Sequence, residues 1–180
     1  MAVSARTFEQ VALEEPNQWE LHRGDLRRKP AMTADHNEIT WRLAFALMRQ
    51  IDQERFTVRA NMGHVRSSSE SYFIPDVYVV PLELLRALRG QSTLEVYAAP
   101  LPLVVEVWSP STGNYDIGSK FPEYRRRGDL EIWRIHPSER TLTAWVRQPD
   151  GTYAESLYVD GTVHPAAFPG IEIDLDALFA

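Results

Sequence analysis

The segment LPLVVEVW, residues 101–108, is the feature that most limits what this chain can fold into. It is apolar at both odd and even positions, with the exception of Glu106. A strand that is apolar on both faces is typical of the centre of a sheet that other elements cover on both sides. The sequence therefore predicts a central sheet flanked by helices.

Two periodic segments precede this strand. Residues 19–29 alternate on either side of the turn Arg23-Gly24-Asp25, which predicts a small hairpin. Apolar residues then recur at every fourth position, which predicts an amphipathic helix over residues 35–53. Asp35 and Glu38 have the spacing of a capping box at its start.

The remaining elements alternate in type. Strands are predicted over residues 55–61, 71–80, 101–108, 130–136, 141–147 and 153–159, and helices over 82–89 and 114–127. This order predicts an α+β (mixed α/β) fold, in which a central mixed sheet is flanked by helices and accompanied by additional β-hairpins. A length of 180 residues predicts a single domain over residues 1–180.

Composition excludes several classes of protein. A chain that is 44% hydrophobic and 24% charged is not generally disordered, and the absence of cysteine excludes a disulfide scaffold, a thiolate zinc site and a cysteine nucleophile. The sequence has neither a membrane-spanning apolar run nor a signal-peptide core, so we expect a cytoplasmic protein without a membrane partner. A net charge of -6 argues against a generally basic surface but not against a local basic patch.

Glu106 and Asp76 are charged residues within otherwise apolar strands. A buried carboxylate is rarely tolerated unless it is paired or bound to a metal. For Glu106 the alternatives are an edge position or an arginine partner. Asp76 follows Pro75, which lacks a backbone donor and so predicts an edge strand or a bulge that directs Asp76 towards a site. Its alternative is an exposed Pro-Asp turn.

Lys120 and His36 are polar residues on predicted helix faces that point inward. Lys120 lies beside the apolar stripe of Ile117, Phe121 and Tyr124, where an ammonium must reach solvent or find an anionic partner. Asp116, one turn earlier, is one such partner, and the simplest interpretation is an ordinary pair four residues apart. His36 is interpreted either as a satisfied core histidine or as a site residue.

Asp76, Glu106 and Lys120 together form a ligand set for a divalent cation and a phosphate. Two carboxylates suit Mg²⁺, which keeps several waters, and an ammonium beside them stabilises charge that develops on a phosphoryl group. No phosphate-binding glycine motif, G-x-S-x-G elbow or H-E-x-x-H motif is present. A glycosidase with two carboxylates would not explain the lysine.

Six segments, in order, resemble the Uma family of restriction endonucleases, which has the PD-(D/E)XK nuclease superfold. They are WELHRGDL, DHNEI, IPDVYVV, LVVEVWSPST, the D-x-x-x-K pattern from Asp116 to Lys120, and EIWRIHP. The resemblance extends over residues 7–179. It implies that Asp76 and Glu106 bind Mg²⁺ or Mn²⁺ and that Lys120 assists the attacking water from a helix, since Trp108 occupies the usual lysine position.

The resemblance also places Glu20 and His36 at the border of the catalytic site. It implies a restriction-endonuclease-like, metal-dependent endodeoxyribonuclease that acts on DNA, and cutting both strands predicts a homodimer. Basic runs at Arg27 to Lys29 and at Arg125 to Arg127 are candidate phosphate contacts, or else solvated faces. The alternative function is a catalytically silent nucleic-acid-binding or protein-interaction module on a nuclease fold.

Overall fold

A computed structural model of the chain describes residues 2–180. Its α-helices are α1 (Ala5–Glu14), α2 (Ala34–Gln50), α3 (Leu82–Leu88), α4 (Gly113–Tyr115), α5 (Phe121–Arg127) and α6 (Leu175–Leu178). Its strands are β1 (Trp19–His22), β2 (Asp25–Arg28), β3 (Phe56–Ala60), β4 (His64–Ser68), β5 (Ser71–Phe73), β6 (Val77–Pro81), β7 (Val96–Tyr97), β8 (Leu103–Val107), β9 (Glu131–His136), β10 (Thr141–Arg147), β11 (Tyr153–Tyr158), β12 (Thr162–Val163) and β13 (Ile173–Asp174). Within this range, no helix is both long enough and apolar enough to span a bilayer.

The larger sheet has six strands in the order β11-β10-β9-β8-β6-β3. Strand β8 pairs in parallel with β9, whereas the other neighbours are antiparallel, so the sheet is mixed. Alternate residues of β8 face opposite sides: Val105 packs in the cluster that contains α2, and Val104 packs in the cluster that contains α5. The predicted α+β class, with a central mixed sheet flanked by helices, is confirmed.

The smaller sheet has five strands in the order β2-β1-β5-β4-β7 and contains the predicted hairpin as β1 and β2. The strand predicted over residues 71–80 is divided between the two sheets: β5 belongs to the smaller sheet and β6 to the larger. Pro75 lies in the connection between them and offers no backbone donor to either ladder. We expected an edge strand or a bulge beside Asp76; instead, the chain crosses at this point from the smaller sheet to the larger one.

The predicted capping box at the start of α2 is wrong. Thr33, in an extended conformation, is the N-cap, and its hydroxyl accepts a hydrogen bond from the backbone N–H of His36 at 3.2 Å. Asp35 lies inside the first turn, where its charge still favours the helix N-terminus. The helix ends at Gln50 rather than at residue 53, because Ile51 is already extended.

The helix predicted over residues 114–127 contains a π-helical turn over Asp116–Lys120, between α4 and α5. The backbone N–H of Phe121 bonds to the carbonyl of Asp116, five residues back. A wider turn places Asp116 beside Lys120 and rotates Ile117 outward, where it is 43% exposed. The predicted apolar stripe is therefore correct for Phe121 and Tyr124 and wrong for Ile117.

Candidate active site

Asp76 and Glu106 come together where the two sheets meet. Asp76 directly precedes β6, and Glu106 lies on β8, the antiparallel neighbour of β6. Both residues are buried, at 2% and 1% exposure. The backbone N–H of Val107, next to Glu106, donates a 2.8 Å hydrogen bond to Oδ2 of Asp76. The two carboxylates are therefore held close together, one on β8 and one directly before β6, beside the helical segment that carries Lys120.

Asp76 is held by donors on both carboxylate oxygens. Oδ1 lies 2.8 Å from Nζ of Lys29, and Oδ2 lies 2.9 Å from Nε2 of His36. Burial alone would raise the pKa of Asp76, but the Lys29 ammonium and the hydrogen bond with His36 outweigh it and hold this pKa well below its usual range. Asp76 is therefore a buried carboxylate that stays ionised, and His36 is a residue that orients it.

Lys29 has a role in the site that differs from the phosphate contact suggested by the sequence. Its ammonium lies 2.8 Å from each of three acceptors: Oδ1 of Asn61, the carbonyl of Ile74 and Oδ1 of Asp76. Three acceptors saturate an ammonium, so the phosphate contact expected of Lys29 is wrong. No local pattern marks this role, because the acceptors lie 32 to 47 residues further along the chain.

Lys120 lies among three carboxylates from three different elements. Its Nζ is 3.0 Å from Glu20 on β1, 3.3 Å from Glu106 on β8 and 3.4 Å from Asp116 in the π-helical turn. We call Glu20, Glu106 and Asp116 the acid cluster. Burial disfavours the charged form of Lys120, but these carboxylates outweigh it and raise the pKa of the ammonium well above its usual value. The pair with Asp116, which the sequence suggested, is therefore only one of the three contacts that Lys120 makes with these carboxylates.

Other contacts fix the members of the acid cluster unequally. Oε1 of Glu20 accepts a 2.9 Å hydrogen bond from the backbone N–H of Ile74, and Oε1 of Glu106 accepts a hydrogen bond from the hydroxyl group of Tyr124. Oδ1 of Asp116 is buried and accepts no hydrogen bond from any residue in 2–180. Burial raises the pKa of both Glu106 and Asp116, with Lys120 opposing this effect and neighbouring carboxylates adding to it.

A cleft of about 200 Å³ opens onto Glu20 and Lys120. Its other lining residues are Arg27, Arg28, Lys29, Pro30, Ser111, Thr112 and Tyr115. The guanidinium of Arg27 lies 4.7 Å from the centre of the Tyr115 ring, within the range of a cation–π contact. The rim is therefore basic and aromatic, although the net charge of the whole chain is -6.

The second basic run serves the fold rather than this cleft. Arg127 is buried, and its guanidinium donates to the carboxylate of Asp129 and to the carbonyls of Tyr97 and Ala99. Arg126 pairs with Glu123 on the same helix. The expectation that Arg125 to Arg127 form a phosphate-binding run is wrong for Arg127, because the end of α5 packs against the connections around β7.

The donor set fits a divalent cation of the Mg²⁺ type. In the described range, 2–180, no three histidine or acidic side chains are placed to hold an ion by themselves. Mg²⁺ does not require that, since it takes one or two carboxylates and keeps waters. Asp76 and the acid cluster together contain four buried carboxylates, and Lys29 and Lys120 contribute two buried ammonium groups. When all six groups are ionised, the site carries two negative charges in excess.

Comparison with known proteins agrees with this architecture. The fold is restriction-endonuclease-like, with Glu106 on the central mixed sheet, Asp76 directly before the neighbouring strand, and Lys120 in the helical segment that covers them. Residues 5–176 match the Uma2 family, described as “Putative restriction endonuclease”, and the chain belongs to that family. This membership supports a nuclease function in general terms.

One solved structure has the same fold over nearly the whole chain. It is the crystal structure of “a putative nuclease belonging to DUF820” from Anabaena variabilis ATCC 29413, with a TM-score of 0.78 and 15% sequence identity. The match covers 98% of this chain and 97% of the other. No curated protein matches the sequence.

Proposed function

We propose that this protein is a Mg²⁺- or Mn²⁺-dependent endodeoxyribonuclease that hydrolyses phosphodiester bonds in DNA. The observation that carries the proposal is the ammonium of Lys120, which lies among buried carboxylates at the floor of a cleft with an arginine rim. A lysine beside carboxylates can stabilise the charge that develops during phosphoryl transfer, and arginines can bind the phosphates on either side of the reacting one. Family membership supports the same reaction class.

Asp76 and Glu106 are the residues that would hold the cation. A bound divalent cation lowers the pKa of a coordinated water and polarises a phosphoryl oxygen. Lys29 and His36 keep the carboxylate of Asp76 ionised and fixed in direction. Among residues 2–180, its Oδ1 accepts from Lys29 alone, so one lone pair of that oxygen remains open to a cation.

Lys120 supplies positive charge at the reacting phosphate. Lys120 lines the cleft and its Nζ is held by the acid cluster, so its position is fixed before a substrate arrives. A preorganised ammonium stabilises negative charge that develops on phosphoryl oxygens in the transition state. Glu20 holds this ammonium from the side of the smaller sheet, and Arg27 and Arg28 at the rim contact neighbouring phosphates.

A plasmid-nicking assay tests the proposal. Wild type is incubated with supercoiled DNA in Mg²⁺, in Mn²⁺ and in EDTA, beside Asp76→Asn and Glu106→Gln. We expect cleavage only with a cation, and none by either variant. Glu131→Gln is the matched control, since Glu131 is equally buried but bonds to Trp133 in the cluster on the other face of the sheet.

Several outcomes would contradict the proposal. Cleavage by Asp76→Asn at the wild-type rate would show that Asp76 does not take part. An RNA substrate cut in preference to DNA would change the substrate class. DNA binding without cleavage in either cation would instead establish the silent nucleic-acid-binding module.

We propose two further properties of the whole chain. Residues 1–180 act as one domain, since Glu20 of the smaller sheet pairs with Lys120 above the larger one; a single cooperative unfolding transition is the expected result. The chain acts as a homodimer, because two sites are needed to cut both strands of a duplex. Light scattering that gives a monomer mass at micromolar concentration contradicts this. A cytoplasmic location stays a prediction.

A further inference from the structure

Helix α2 carries two large aromatic side chains on the side that faces away from the core. Among residues 2–180, Trp41 is 61% exposed and Phe45 is 47% exposed. Their rings stack on one another, with ring centres 6.4 Å apart and planes at 21°. The opposite side of the helix packs Leu43 and Leu47 into the core, to which neither aromatic residue belongs. A contiguous exposed apolar patch typically marks an interaction surface.

Charge is divided between the two ends of this aromatic pair. Asp35 and Glu38 lie on its N-terminal side, Arg49 lies on its C-terminal side, and all three are exposed. The guanidinium of Arg49 lies 5.5 Å from the centre of the Phe45 ring. Positions three or four apart share one side of a helix, so we call Asp35, Glu38, Trp41, Phe45 and Arg49 the outer face of α2. Along the helix this face is acidic, then aromatic, then basic.

A groove of about 330 Å³ lies between α2 and the C-terminal segment of the chain. Phe45 and Arg49 line it on the side of α2, and Glu172 and Asp174 line it on the other side. Trp41 lies one helical turn before Phe45, outside this groove. A projecting indole beside a groove is complementary to the same two features on a second copy that is turned end for end.

We propose that the outer face of α2 is the surface through which two copies of this chain pair, with their α2 helices antiparallel across a two-fold axis. The inference deepens the proposed homodimer and rests on it for the number of copies. In this arrangement, Trp41 of each copy packs in the groove beside Phe45 of the other copy. Asp35 and Glu38 of each copy then face Arg49 of the other.

The order of charges on the outer face favours a second copy as its occupant. Parallel pairing would place acidic ends together and basic ends together, whereas antiparallel pairing opposes unlike charges at both ends. Tryptophan and phenylalanine are also enriched where proteins meet. DNA fits this face less well, because the face and the groove carry four carboxylates against the guanidinium groups of Arg42 and Arg49. The carboxylates are those of Asp35, Glu38, Glu172 and Asp174.

The size of the surface sets how much of each copy takes part. A stable interface buries about 800 Å² on each partner. With 17 residues, α2 is about 25 Å long and about 10–12 Å wide with its side chains, so its outer face alone is too small. The proposed interface therefore extends across the groove to residues 172–178, several of which line its far side.

Sedimentation equilibrium of the full chain in EDTA measures the pairing without reference to cleavage. We expect wild type to form a dimer at micromolar concentration. Trp41→Ala and Phe45→Ala should each raise the dissociation constant of the dimer at least about 30-fold, as expected for aromatic residues at the centre of an interface. Because both side chains are exposed in the single chain, neither variant removes a core contact, and circular dichroism should be unchanged.

Exchange of charges tests the antiparallel arrangement. Glu38→Arg opposes two basic groups across the axis and Arg49→Glu opposes two acidic ones, so each should weaken pairing at least about tenfold. The double variant restores unlike charges at both ends and should pair within about threefold of wild type. Parallel helices predict no such recovery, because each of these residues would then face its own equivalent.

Leu157→Ala is the matched control for the aromatic variants. Leu157 is 62% exposed, as Trp41 nearly is, but it lies on β11 at the edge of the larger sheet. This variant should pair with the affinity of wild type, since an exposed apolar residue outside the interface adds nothing to pairing.

The possible results separate this inference from the proposals on which it rests. Wild-type pairing in both aromatic variants, or a dimer lost only in Leu157→Ala, overturns α2 as the surface and leaves the homodimer. A wild type that is monomeric at micromolar concentration overturns both. Weaker DNA binding by Trp41→Ala with no change in its pairing would assign the face to DNA instead. The plasmid assay tests the nuclease reaction separately, since the outer face lies outside the lining of the cleft at Lys120.

Discussion

The ammonium of Lys120 lies 3.0 Å from the carboxylate of Glu20, and both side chains are 3% exposed. This buried ion pair joins the hairpin of the smaller sheet to the helix that covers the larger one. We expect Lys120→Met to lower the free energy of unfolding by about 3–5 kcal/mol, because it leaves buried carboxylates without their counter-ion. Urea denaturation in EDTA measures this.

Glu20→Gln is the comparison for that experiment. This variant should lower the free energy of unfolding by less than about 3 kcal/mol, because Lys120 keeps its contacts with Glu106 and Asp116. The amide oxygen of the new side chain can also still accept a hydrogen bond from the backbone N–H of Ile74. A Lys120→Met protein as stable as wild type would show that the acid cluster does not need this ammonium.

Lys120 should also control turnover. We expect Lys120→Met to cut DNA at least about 100-fold more slowly under conditions where it is folded, because loss of one electrostatic donor to a transition state typically costs about 2.7–4 kcal/mol. Lys120→Arg should not restore the rate, since a planar guanidinium does not replace a compact ammonium. Single-turnover cleavage measures both variants, and an unchanged rate for Lys120→Met makes the lysine purely structural.

Lys29 should act through Asp76. Lys29→Met removes the ammonium that offsets the burial of Asp76, so we expect a loss of about 3 kcal/mol in unfolding free energy and a higher Asp76 pKa. The acidic limb of the pH profile of cleavage should then move to higher pH. Arg28→Met, at the exposed neighbouring position, should change stability by no more than about 0.5 kcal/mol. A pH profile identical to that of wild type would argue against this positioning role.

The arginine rim should set the salt dependence of DNA binding. In EDTA, Arg27→Ala and Arg28→Ala should each weaken binding and reduce the slope of log affinity against log salt by about 1, as expected for one lost phosphate contact. Arg126→Ala is the control, because Arg126 pairs with Glu123 on α5. Fluorescence anisotropy at several salt concentrations gives the slopes; equal slopes for the rim variants and the control would exclude the rim as the contact.

His64 should make the fold sensitive to acid. It is 5% exposed, bonds to the carbonyl of Trp19 at 2.8 Å and contacts Phe8 edge-on. Burial lowers its pKa below 6.5, so below pH 6.5 the unfolded chain binds more protons than the folded one. Stability from this group is therefore complete above pH 6.5 and decreases as the pH falls towards the folded pKa, by at most about 1.4 kcal/mol per unit.

His64→Gln removes this titration and retains an amide donor. The loss of stability below pH 6.5 should be smaller in this variant than in wild type. The exposed His164, replaced in the same way, serves as the control for the substitution itself. Thermal unfolding across this pH range decides it, and equal pH dependence in His64→Gln and wild type would contradict the prediction.

Periodicity marked Glu106 and Asp76 as members of the candidate site because they interrupt apolar strands, and such interruptions are visible locally. It could not predict that residues 71–80 belong to two sheets, since both halves have the same strand pattern. Helix periodicity assumes a regular turn, so it placed Ile117 inward and missed the π-helical turn. The pairing of Lys29 with Asp76 was missed for another reason: the two residues are remote in sequence, and only tertiary contacts define this role.

The division of the chain at Pro75 between two sheets has a consequence for how the protein is made. The clustered side chains extend from position 20 to position 120, and they meet only after both sheets have formed and docked. A chain whose two sheets have not yet docked carries every residue of the site and none of its geometry. Any activity of this cluster therefore depends on the docking of the two sheets.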